Sequence, residues 1–113
     1  MVQLNELQTA DLLDEIASAM EFESPVIDAL TRLTQRRFGR VSKAATYLTG
    51  LLERGESLAT SLAQLSTPCP PQLSAAIRAA ELSGNPTLIT AFAQQLRERH
   101  NLKGETRLSW FYP

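Results

Sequence analysis

Proline and glycine cut this chain into six stretches, and each stretch repeats its apolar residues at helical spacing. The cuts fall at Ser24-Pro25, Gly39, Gly55, the run STPCPP over residues 66–71, and Gly84-Asn85-Pro86. Proline is tolerated in the first turn of a helix, where its missing N–H costs nothing, and glycine ends helices in the left-handed region. Between the cuts, Leu12, Leu13, Ile16 and Met20 mark a first helix, with Thr9 as its expected N-cap and Asp11 near its positive end. Val26, Ile27, Leu30 and Leu33 mark a second, ending near Phe38-Gly39. Val41, Ala44, Ala45, Leu48, Leu51 and Leu52 mark a third, stopped by Gly55. Ser57 caps a short fourth carrying Leu58, Leu62 and Leu65. Leu73, Ala76, Ile77 and Ala80 give a fifth, ended by Gly84. The sixth runs through Leu88, Phe92 and Leu96 towards Leu108. No stretch alternates apolar and polar residues as a half-buried strand would. The expectation is an all-α fold, a six-helix bundle whose short connections make sequential helices antiparallel.

A chain of 113 residues with 43% apolar content builds one core. Net charge is −1, which argues against nucleic acid as a partner. The charges are unevenly spread: residues 1–31 hold seven acids and no Lys or Arg, while all eleven basic residues follow. Residues 1–31 lack the basic stretch and apolar core of a signal peptide, so none is expected there, and no apolar run is long enough to cross a bilayer.

Chemistry is sparse. His100 is the only histidine and lies in the polar stretch RERHNLKGE, where a solvated helix face is the plainer reading. Cys69 sits between prolines with no credible base, so a small apolar plug is the plainer reading than a nucleophile. Glu21, Glu23 and Asp28 lack the glycine and alternating ligands of a calcium loop. Arg32, Arg36, Arg40 and Lys43 recur at helical spacing but are interrupted by Gly39, and they suit helix ends. No phosphate loop, HExxH or GxGxxG occurs. The chain is read as a non-enzyme with no cofactor and no metal. A free-standing helical adaptor, or less plausibly an enzyme using Cys69, stands as the alternative.

The end of the chain is unusual. Arg97, Arg99, Lys103 and Arg107 precede Trp110, Phe111 and Tyr112, which are three of the seven aromatics, and Pro113 follows. Basic residues and then interfacial aromatics are the pattern on the cytoplasmic side of a membrane helix. The other reading is a polar helix whose aromatics fold back onto the bundle.

Three segments, taken in order, resemble the type II secretion system F domain, the cytoplasmic domain of inner-membrane platform proteins in type II secretion and type IV pilus assembly. SPVIDAL, residues 24–30, is similar to the start of the family's second helix at Pro25, Ala29 and Leu30. LLERGESLATSL, residues 51–62, is similar to its Gly-x-Ser-Leu turn at Gly55, Ser57, Leu58 and Leu62. PPQLSAAIRAAELSG, residues 70–84, is similar to its Pro-Pro…Gly-Glu-x-Ser-Gly at Pro70, Pro71, Glu81, Ser83 and Gly84. Tyr112-Pro113 matches the opening of the family's first membrane helix. The departures are Glu23, where the family prefers Gly, Ala80 for the Gly of Gly-Glu, and Pro86 and Thr90 at positions usually apolar.

The resemblance implies an N-terminal tail over residues 1–9, the helical domain over 10–108, and the start of a transmembrane segment over 109–113. It implies a non-enzymatic platform on the cytoplasmic face of the bacterial inner membrane. Its partners would be the secretion or pilus ATPase and other inner-membrane components, with the membrane reached through the natural continuation of the chain; a homo-oligomer is compatible with this. Pro25, Gly55, Ser57, Pro70 and Gly84 carry ordinary structural roles. Glu81 lies near a helix end whose dipole disfavours a carboxylate, so it is expected to have a partner, either backbone donors of the following turn or a basic side chain.

Overall fold

A computed structural model describes residues 3–36, 39–67 and 72–111, with side chains up to Asn101. Among these residues six helices follow one another: α1 (Glu6–Glu21), α2 (Val26–Arg36), α3 (Arg40–Glu53), α4 (Leu58–Ala63), α5 (Gln72–Ser83) and α6 (Thr87–Phe111). Outside the helices there is one isolated bridge, between Gln3 and Ser66, beside which the Leu4 N–H donates to the Ser66 carbonyl at 2.9 Å. That contact ties the residues before α1 to the end of α4 and buries Leu4.

The first helix starts earlier than Thr9. Asn5 is the N-cap, in a reciprocal box: its side chain accepts from the Gln8 N–H at 2.8 Å, and the Gln8 side chain accepts from the Asn5 N–H at 2.9 Å. Thr9 is instead a buried residue of the first turn, its hydroxyl donating to the Asn5 carbonyl. Two satisfied donors at Asn5 outcompete the one that a Thr9 cap would give. The second helix ends at Arg36, and Gly39, at φ +73, stands just before α3.

One core runs through all six helices. α1 gives it Ala10, Leu12, Leu13, Ile16 and Ala17; α2 gives Leu30 and Leu33; α3 gives Val41, Ala44, Ala45 and Leu48. Leu58, Ala59 and Leu65 belong to α4 and its exit, Leu73, Ile77 and Ala80 to α5, and Ile89, Ala93 and Leu96 to α6. The buried row of α6 is thus displaced from Leu88–Phe92–Leu96. Leu88 points outward and Phe92 is half-buried. With Ala93 in that row, facing a helix that carries Ala10 and Ala17, the α6 backbone can lie close to α1; a Phe there would hold it off.

α1 packs most extensively on α6, α2 on α3, and α4 on α5. Arg97 of α6 meets Asp11 and Asp14 of α1, while Glu21 of α1 lies beside residues 87–94 of α6, so these two helices run in opposite directions.

Candidate functional site

The segments singled out in the sequence meet at the start of α4. This helix has six residues, too short to be stable on its own propensity, and its first N–H groups need acceptors. Ser57 is its N-cap, and the Ser57 Oγ accepts from the Thr60 N–H at 3.1 Å. The two N–H groups nearer the cap, of Leu58 and Ala59, both donate to the Glu81 carboxylate of α5, at 3.3 Å each. Every N–H of the first turn therefore has an acceptor, two of them from a side chain more than twenty residues away.

Glu81 is thus paired with backbone donors, but those of α4 rather than of the turn that follows it. The positive end of α4 and two charge-assisted hydrogen bonds offset the unfavourable position near the end of α5. Three residues on, the Gly84 N–H donates to the Ala80 carbonyl at 2.7 Å, with Gly84 at φ +73. This left-handed cap ends α5 and turns the chain into α6. The second and third matched segments therefore form one structural unit, in which Gly55 and Ser57 deliver the N-terminus of α4 to Glu81.

Pro25 and Pro86 stand just before α2 and α6. Their carbonyls accept from Ala29 and Thr90, so the helical bonding starts at these residues. Pro70, Pro71 and Cys69 lie outside the described residues, as does Tyr112. The backbone of Lys103, Arg107 and Trp110 lies in α6, but their side chains are outside the described set. Arg99 is exposed on α6 and His100 is half-buried.

Arg97 is a partly exposed basic residue held in ion pairs with α1. Its guanidinium donates to the Asp11 carboxylate at 2.8 Å and also pairs with Asp14, one turn further along α1. Burial works against its charge, but the hydrogen bonds to Asp14 and Asp11, with their negative charges, outweigh it and hold its pKa above the ordinary arginine value. A second pair, Arg36 with Glu15, ties the end of α2 to α1. Neither pairing was readable along the chain, because both are long-range. The usable signal was the spacing of Asp11 and Asp14, three apart on one helix face.

Among the described residues, no group of three or more His, Cys, Asp or Glu side chains could hold a metal ion, and no helix is long and apolar enough to cross a membrane. The geometry is that of a helical body with a stapled short helix and a clamped last helix.

A search of curated proteins and a search of solved structures gave no match. A family model described as type II secretion system (T2SS), protein F matches residues 12–113, which takes in the Glu81–α4 unit and all of α6. The chain belongs to the type II secretion system protein F family.

Proposed function

We propose that this domain, as an assembly platform of a type II secretion or type IV pilus system, links a cytoplasmic ATPase to pilin or pseudopilin assembly without catalysing a reaction. It would do so on the cytoplasmic face of the inner membrane, through contacts with the ATPase and neighbouring inner-membrane components. Residues 10–108, with the packed residues before them, form the cytoplasmic body, and residues 109–113 begin a membrane segment. Sequential helices in that body are antiparallel, as the short connections suggest.

The observation that carries this reading is α6. It is one uninterrupted helix of 25 residues, about 37 Å long, clamped to α1 by Ile89, Ala93, Leu96 and Arg97 in its first half and running on as helix to Phe111. A helix anchored at one end and continuous at the other can carry a displacement of the body outwards. Arg99, Lys103 and Arg107 would lie near anionic headgroups, with Trp110 and Tyr112 at the interface; each basic residue there adds about 1 kcal/mol of attraction. Arg97 is occupied by α1 and adds little to that belt.

The test is reconstitution of the full-length protein in detergent with the ATPase of its own system. A stable complex that is lost when residues 10–108 are deleted is the expected result. An ATPase that binds equally well without them would overturn the reading.

A further inference from the structure

The end of the molecule built from the α1–α2 turn and the α5–α6 turn gathers exposed apolar side chains and carboxylates. Phe22, at the C-cap of α1, is 74% exposed, and Leu82 and Leu88, on either side of the second turn, are 90% and 52% exposed. Glu21 and Glu23 stand at the C-terminal end of α1, where the helix dipole repels carboxylates. Glu23 also holds a left-handed backbone, φ +54, that glycine adopts more readily. None of Glu21, Glu23 and Asp28 forms an ion pair among the described residues, and no Lys or Arg occurs before Arg32. Between the two turns lies an open cleft of about 610 Å³, lined by Met20, Glu21, Glu23, Pro86 and the α4-capping Glu81, and not by Phe22, Leu82 or Leu88.

We propose that this end is a docking surface for a cationic amphipathic segment of a partner protein. Its apolar side chains would cover Phe22, Leu82 and Leu88, and its Lys or Arg residues would meet Glu21, Glu23 and Asp28. Charge complementarity selects this occupant. A cation there neutralises Glu21, Glu23 and the negative end of α1 together and also meets Asp28, which the positive end of α2 already favours, whereas an anionic lipid surface or an acidic segment would be repelled. Exposed aromatic surface beside unpaired charge supplies the apolar anchor and charged rim of a binding face. That the partner belongs to the secretion or pilus machine rests on the platform reading; its chemistry follows from the face itself.

The test is fluorescence anisotropy with a labelled helical peptide of about 18 residues, leucine on one face and lysine on the other. The peptide should bind the chain, and Phe22→Ser or Glu21→Lys should each weaken it at least about tenfold. Glu56→Lys, an equal charge change at an exposed residue of the α3–α4 turn, should leave it within about twofold. A peptide with glutamate for lysine should not bind. No binding, or equal weakening by Glu21→Lys and Glu56→Lys, would overturn the proposal. So would concentration-dependent self-association abolished by Phe22→Ser, since the occupant would then be a second copy. The assay contains no ATPase, so its failure leaves the platform reading standing, and failure of the ATPase complex leaves this face to be judged by the peptide alone.

Discussion

Glu23 occupies the position that ends α1. The Ser24 N–H donates to the Ala19 carbonyl at 2.8 Å, the long bond of a Schellman turn, and the residue between helix and turn must be left-handed. α3 ends the same way, the Glu56 N–H donating to Leu51, but there Gly55 fills the left-handed place. The preference of the family for Gly at residue 23 thus has a backbone cause. Glu23→Gly should stabilise the protein by about 0.5–1 kcal/mol, the relieved strain exceeding the added chain entropy. A lower urea midpoint in that variant would contradict the assignment. Gly84→Ala should cost about 1 kcal/mol. Nothing lies within 4 Å of the added Cβ, so the cost would come from the backbone at φ +73 alone. A neutral result would mean that the turn tolerates a side chain.

At the scale of elements, the short α4 depends on α5. Glu81→Ala should cost about 1–2 kcal/mol, because it strips acceptors from two N–H groups at once, and Glu81→Gln should fall between, keeping one oxygen without the charge. Hydrogen exchange is the sharper readout: the amides of Leu58 and Ala59 should lose protection before those of α1 or α3. Uniform loss across the molecule would mean that Glu81 supports the core rather than α4. Much of this was visible along the chain. The six helices follow from proline and glycine placement, and a carboxylate at the wrong end of α5 called for a partner. The partner itself was not visible, since a cap reaching back from α5 to α4 leaves no local pattern. The start of α1 is legible but ambiguous: Asn5-x-x-Gln8 is a capping-box spacing, and Thr9 is a competing N-cap by residue type alone. The register of α6 was ambiguous because Leu88 and Ile89 are adjacent apolar residues, and only packing against α1 decides which one turns inward.

At the scale of the molecule, the uneven charge distribution acquires a cause. The acidic first helix lies against helices from the basic remainder, and Asp11, Asp14 and Glu15 meet Arg97 and Arg36 across those seams. Such partly exposed pairs contribute about 0.2–1 kcal/mol each, so their value lies in fixing how α6 sits on α1 more than in stability. A double-mutant cycle between Arg97→Ala and Asp14→Ala should give a coupling of about 0.5–1 kcal/mol. A coupling near zero would leave α6 held by its apolar row alone. Because the Arg97 pKa is raised, its share is fully present below the ordinary arginine value and is lost only as pH rises through the higher folded value. Loss of its proton therefore cannot release the clamp at neutral pH. The clamp holds the first half of α6, and in the proposed platform a displacement of the body would pass through the continuous helix beyond Asn101. The most direct measurement is therefore to insert roughly four glycines between Asn101 and Leu102 of the full-length protein, then measure ATPase association and secretion or pilus assembly in the same cells. Association should persist while assembly is lost, because the body still binds but no longer moves what lies beyond it; assembly at the normal level with the flexible insert in place would contradict transmission through α6.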